Sequence, residues 1–158
     1  MRAKNLLLAS LALAALAACA GPGPEKAATP APVASRALYP GETPELRSLI
    51  DEYADAYDVP PALVQKVVIR ESRHNPAARN GPYYGLMQIL PATARSMGYQ
   101  GSATGLLDAE TNLKYAVKYL RGAWLVSDGN MDEAVQWYAR GYYYEAKRKG
   151  LLDETGLR

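Results

Sequence analysis

Sixteen carboxylates, one histidine and one cysteine are the groups with which this chain could do acid–base, nucleophilic or metal chemistry. A serine or cysteine nucleophile needs a base. The only histidine, His74, follows Arg73 at a helix end and has no partner evident in the sequence. A single histidine excludes HExxH and any other two-histidine metal site, and a single cysteine excludes thiolate zinc clusters and a disulfide framework. The glycine-containing segment from Gly81 to Gly85 lacks the lysine and following helix of a phosphate loop. Neither a metal nor a cofactor is expected. Carboxylates are what remain.

Most of the acids have ordinary places. Asp51, Glu52 and Asp55 lie off the apolar stripe of a first helix, Glu45, Asp108 and Glu133 sit at helix starts, and Asp153 and Glu154 fall in a short tail. Glu71 differs. It follows Val64 and Val67 at helical spacing and so projects from the apolar face of its helix. Its place in the last turn, at the negative end of the helix dipole, disfavours a charged carboxylate by roughly 0.3–1 kcal/mol. Burial and dipole both raise its pKa, the property of a general acid that works near neutral pH. A boundary residue paired with Arg70 or Arg73 is the other reading of the same position.

The elements that must position Glu71 are helical. Thr43-Pro44-Glu45 is a helix start, with a hydroxyl cap, a proline in the first turn and an acid near the positive end. Leu46, Leu49, Ile50, Tyr53, Ala54 and Tyr57 recur at helical spacing up to Pro60-Pro61, which opens the helix of Leu63, Val64, Val67 and Val68. Pro91 opens a short helix closed by Gly98. Asp108 caps a longer one with Leu113, Ala116, Val117, Leu120 and Trp124 on its inner stripe. Asn130 with Glu133 starts a fifth helix ending near Gly141, and a last turn runs to Gly150. No stretch alternates with period two, and Arg79 to Tyr84 has room for a small hairpin at most. The class is all-α, one domain over residues 43–150 with a tail at 151–158.

Upstream, residues 1–20 carry Arg2 and Lys4 before an uncharged run from Leu6 to Ala20, shorter than the roughly 20 apolar residues of a spanning helix. The pattern fits a secretory leader over residues 1–18. Leu16-Ala17-Ala18-Cys19 resembles the bacterial lipoprotein box, which implies acylation of Cys19. Ala20 after the cysteine, where an aspartate is absent, resembles outer-membrane lipoproteins facing the periplasm. Residues 19–42 are dominated by Pro, Ala and Gly and predict a disordered linker. Removal of the leader takes Arg2 and Lys4 from the 18 basic residues and leaves 16, equal to the 16 acids, so no nucleic-acid partner is expected.

Ile69-Arg70-Glu71-Ser72-Arg73-His74-Asn75-Pro76, followed by Gly85-Leu86-Met87-Gln88-Ile89-Leu90-Pro91-Ala92-Thr93-Ala94, resembles the soluble lytic transglycosylase (SLT) family of lysozyme-like enzymes. Leu107 to Leu113 and Tyr119-Leu120 are similar to that family's third motif. The resemblance implies a goose-type lysozyme-like fold and cleavage of the β-1,4 bond between N-acetylmuramic acid and N-acetylglucosamine in peptidoglycan strands. It implies Glu71 as a single acid and base, with a 1,6-anhydro muramic product. It also assigns substrate contacts to Ser72, Gly85, Met87, Gln88 and Tyr138. From the residues alone, Ser72 serves equally as a helix-end hydroxyl, Gly85 as a backbone shape that a side chain would forbid, Met87 as core, and Tyr138 as a core tyrosine. Tyr138-Ala139-Arg140-Gly141 departs from the family's Tyr-Asn-Ala-Gly, and His74 stands where a large aromatic is usual. The chain is expected to be a monomer. A hydrolytic muramidase on the same scaffold, with Asp108 or Glu110 as distant second carboxylates, and a non-catalytic peptidoglycan-binding lipoprotein are the other readings.

Overall fold

A computed structural model describes residues 37–157. The expected leader, Cys19 and the linker as far as residue 36 lie outside the described residues. The elements in order are helices α1 (Pro44–Ala56) and α2 (Pro61–Glu71), strands β1 (Arg79–Asn80) and β2 (Tyr83–Tyr84), helix α3 (Pro91–Ser96), a 3-10 turn (Ala103–Leu107), and helices α4 (Ala109–Val126), α5 (Met131–Arg140) and α6 (Tyr143–Lys149). The fold is all-α apart from the hairpin, whose antiparallel register pairs Arg79 with Tyr84 and Asn80 with Tyr83.

Helix starts fall where cap chemistry predicts. Thr43 Oγ1 accepts the Leu46 amide, Asp108 Oδ1 accepts that of Thr111, and Asn130 Oδ1 accepts those of Asp132 and Glu133. Helix α5 stops at Gly141 (φ 85°) and α6 at the left-handed Gly150 (φ 73°). The 3-10 turn carries no periodic signal in the sequence; Ser102 Oγ caps it by accepting the Gly105 amide.

Helix α4 is the centre of the body and packs against α1, α3, α5, α6 and the 3-10 turn. Its Leu113, Ala116, Val117, Leu120 and Ala123 are fully buried against Ile50 and Ala54 of α1 and Leu63, Val64, Val67 and Val68 of α2. Each branched side chain buried in this way contributes about 1.5–3 kcal/mol. Trp124, expected on the inner stripe, is only partly buried and borders a surface hollow with Pro60 and Pro61. Tyr142, just before α6, is core. Its ring lies over Gly122, where any Cβ would overlap it, and its hydroxyl donates to the Tyr119 carbonyl at 2.8 Å.

One polar side chain of α4 organises the loops. Asn112 is completely buried. Its Oδ1 accepts the Met87 amide at 3.0 Å, and its Nδ2 donates to the carbonyls of Tyr84 (2.9 Å) and Leu106 (2.8 Å). From the other side the Tyr138 hydroxyl of α5 donates to the Met87 carbonyl at 2.8 Å. Gly85, with φ 73°, sits where a Cβ would run into the Asn112 amide and the Leu106 carbonyl.

The folded body starts earlier than composition predicts. Glu42, placed in the linker, is buried with its carboxylate among donors. Arg47 binds it twice (2.6 and 2.5 Å), Gln65 Nε2 once (2.5 Å) and the Tyr39 amide once (2.9 Å). Gln65 Oε1 then pairs with His74 Nε2 at 2.8 Å, which puts the ring proton on Nε2. Thus His74 does have a partner, supplied across the fold. Burial alone would push the Glu42 carboxyl up, but the Arg47, Tyr39 and Gln65 hydrogen bonds and the Arg47 charge outweigh it and hold the pKa at about 2. The tail is likewise part of the body: Thr155 is buried, its hydroxyl donates to the Leu151 carbonyl at 2.7 Å, and Leu151, Leu152 and Leu157 pack on the core.

Replacing Asn112 by Ala strands an amide and two carbonyls in the interior. It is expected to lower the unfolding free energy by about 3 kcal/mol, measured by urea titration. Glu42 has a folded pKa below its ordinary 4.5, so its contribution, roughly 3 kcal/mol, is complete above that value and lost as pH falls toward 2. Between pH 7 and pH 3 the native chain should lose roughly 2 kcal/mol more stability than Glu42→Gln in the same titration.

Candidate functional site

Glu71 is the last residue of α2, where the sequence places it. The helix cannot continue: Ser72 gives its amide to the Val68 carbonyl, and Arg73 (φ 51°) and His74 (φ 65°) turn left-handed. That break leaves the Glu71 carboxyl at the edge of a cleft of about 330 Å³, lined also by Arg70, Asn80, Tyr83, Gln88, Tyr138 and Ala139. The side chain is 22% exposed, with Arg70 Nε 3.4 Å from Oε1. Desolvation raises the Glu71 pKa above the ordinary carboxylate value, and the Arg70 charge offsets part of the rise. Both sequence readings of Glu71 are therefore realised at once: it is cleft-facing and it touches Arg70.

A second cleft of about 300 Å³ shares Tyr83, Gln88, Tyr138 and Ala139 with the first and extends to Leu90, Thr93, Tyr119, Arg140 and Gly141. The two form one groove, with Glu71 in one compartment and Arg140 at the other. Glu71 is the only acid lining either compartment among the described residues. A hollow of about 420 Å³ bordered by Asp55, Asp58 and Pro61 lies at the opposite end of α2, about 15 Å away along the helix.

The other expected site residues divide. Gln88 stands in the groove on a left-handed backbone (φ 47°), and its Nε2 is committed to the carbonyls of Gly85 (2.8 Å) and Ala78 (3.1 Å). Its Oε1 is the atom left to accept an N–H from a ligand. Tyr138 lines both compartments while its hydroxyl is held by Met87, so it is a wall and a brace together. Burial first, then the nearby Glu71 charge, pushes its phenol well above the ordinary value and keeps it neutral. Tyr119 meets its ring edge-on at 5.4 Å.

Three assignments change. Met87 does not line the groove: its side chain is fully buried, and only its peptide group serves, gripped by Asn112 and Tyr138. Gly85 lies beneath the turn and not in a cleft wall, needed for its backbone shape. The Ser72 hydroxyl donates to the Val68 carbonyl at 3.3 Å, as a helix-end hydroxyl does, and borders neither compartment. Missed in the sequence were Asn80, Leu90 and Thr93, which reach the groove from the hairpin and from the start of α3. The only signal for Asn80 was its place before the Gly81-Pro82 turn.

Asp108 and Glu110, weighed as second carboxylates, are occupied elsewhere. The first caps α4, and the second accepts the Tyr53 hydroxyl at 3.1 Å. Neither lines the groove.

A lone desolvated acid in a long, tyrosine-walled groove of a helical body suits proton transfer to and from a polymer threaded past it. The family model described as the transglycosylase SLT domain matches residues 48–151, a span that runs from α1 to just past α6 and includes every residue lining the two compartments. More than half of the chain lies inside that match, and the chain therefore belongs to the SLT transglycosylase family, whose lysozyme-like members act on peptidoglycan by cleaving glycosidic bonds.

Proposed function

We propose that the chain is a lytic transglycosylase that cleaves the β-1,4 bond between N-acetylmuramic acid and N-acetylglucosamine and leaves a 1,6-anhydro muramic end, with Glu71 as the single acid and base. The observation that carries this reading is the solitary carboxyl: no other acid lines the groove among the described residues. Hydrolases of the two-carboxylate kind need a second acid, either about 5–5.5 Å away as nucleophile or about 6.5–9.5 Å away as base. An intramolecular reaction needs only one.

Protonated Glu71 gives its proton to the glycosidic oxygen as the C1–O bond breaks and the N-acetylglucosamine hydroxyl departs. The muramic 2-acetamido oxygen stabilises the electron-poor C1 in place of a protein carboxylate. Glu71, now ionised, takes the proton from the C6 hydroxyl while O6 bonds to C1, which closes the anhydro ring and restores the acid. Atoms balance without water. The raised Glu71 pKa supports the first step, and Arg70 at 3.4 Å supports the ionised form needed in the second. The Gln88 Oε1 is suited to an acetamido N–H, and the exposed Tyr83 ring to a sugar face.

In this reading Cys19 is acylated after removal of residues 1–18, and the domain works as a monomer facing the periplasm from the outer membrane. The lipobox-like Leu16-Ala17-Ala18-Cys19, followed by Ala20, supports it.

Incubated with purified peptidoglycan, the full-length chain is expected to release fragments whose muramic ends are anhydro by mass spectrometry, and Glu71→Gln to lower the rate roughly 10³-fold. Reducing ends would overturn the reading in favour of a muramidase. Sedimentation with the wall but no fragments would favour a binding lipoprotein. On expression in a bacterium that acylates lipoproteins, the chain should partition into detergent and Cys19→Ser should remain in the aqueous phase; equal partition would remove the anchor.

A further inference from the structure

Two cations line the groove, and they are not equivalent. Arg70 faces Glu71. Arg140, at the C-terminal end of α5, has no acid within ion-pair distance among the described residues. The acid that feels its charge, Glu145, is already gripped by Arg148 through two hydrogen bonds of 2.5 and 2.8 Å. The Arg140 guanidinium lies on the face of Trp137, 3.7 Å from the ring centroid. Stacking uses the flat face of a guanidinium and leaves its N–H donors, which radiate in its plane, free for a planar acceptor. A rigid platform thus orients an unpaired fork at one end of a groove whose other end holds Glu71, and no acid lines the compartment between Tyr83 and Gly141 to repel an anion.

We infer that Arg140 is a specificity determinant that binds a carboxylate on the peptide branch of the glycan, so that the groove selects strands still carrying their peptides. This rests on the reading of the substrate as peptidoglycan. Glycan sugars of that polymer offer acetamides and hydroxyls, which do not require a fork-shaped cation; its peptide branches offer carboxylates. The branch leaves the muramic residue whose glycosidic oxygen Glu71 would protonate, and the Arg140 compartment adjoins that position through the shared walls Tyr83, Gln88 and Tyr138. A bidentate guanidinium–carboxylate pair at an exposed site is consistent with about a tenfold effect on binding at most.

The test compares two probes, a soluble glycan tetrasaccharide with its peptides and the same tetrasaccharide stripped by an amidase, with the lactyl carboxylates that this frees converted to primary amides. Binding is measured by calorimetry to the full-length chain carrying Glu71→Gln, which prevents turnover. Adding Arg140→Gln should weaken the peptide-bearing probe about tenfold more than the stripped one, and Arg140→Lys should recover only part of the difference. Equal losses on the two probes, or no loss on either, would overturn the assignment. So would failure of the parent to bind the peptide-bearing probe. Failure of the native chain to cleave probes that it binds selectively through Arg140 would remove the enzymatic reading and leave the subsite standing.

Discussion

The groove depends on one buried amide. Asn112 spends its three hydrogen bonds on Tyr84 of the hairpin, Met87 of the turn that follows it and Leu106 of the 3-10 turn, three short pieces of chain with little structure to hold them by themselves. Without it, the turn from Gly85 to Gln88 would have buried N–H and C=O groups with nothing to bond, a cost that loop composition alone could not offset. With it, the turn is referenced to α4, the most deeply packed helix of the body. Tyr138 completes the clamp by holding the opposite side of the Met87 peptide. The position of Gln88 across from Glu71 is thus set by the packing of α5 against α4 and α2, and any loosening of that contact is transmitted to the groove.

Two glutamates at the two ends of one short path show how the same side chain acquires opposite character. Glu42 is the more buried, yet it is held ionised, because four donor contacts from Arg47, Gln65 and the Tyr39 amide compensate its lost hydration. Glu71 is less buried, but one guanidinium at 3.4 Å is its ionic neighbour, and desolvation wins. Satisfaction by donors, more than depth, separates a structural carboxylate from one able to carry a proton. The Glu42 network also reaches His74, three residues past the end of α2, so the buried acid braces the turn that ends the helix carrying Glu71.

Much of this was legible in the sequence, for a local reason. Thr43, Asp108, Asn130 and Gly141 mark helix ends because caps act over three or four residues, and the periodicity of Val64, Val67 and Glu71 places the acid on an inward face without knowledge of the partner helices. What failed was non-local or aperiodic. Met87 stands in a turn where no period says which way a side chain points, so a motif contact became core. Glu42 was assigned to the linker because a composition window averages over Pro and Ala, whereas its burial depends on Gln65, 23 residues away. The tail was misjudged in the same way, since Thr155 and Leu157 are recruited by a core formed far upstream. Nor does anything local to Tyr142 report that Gly122 makes room for its ring.

The fit of Gly85 against Asn112 has a bearing on how such chains evolve. The amide of the asparagine occupies the volume that any side chain at the glycine would claim, so each residue dictates the other by shape alone, with no reference to Glu71. A descendant that abandoned catalysis and lost the carboxyl would still need Gly85, the Met87 peptide, Asn112 and the Tyr138 hydroxyl to fold. The most recognisable stretch of this sequence is therefore fixed by architecture, independently of what the acid at the end of α2 does.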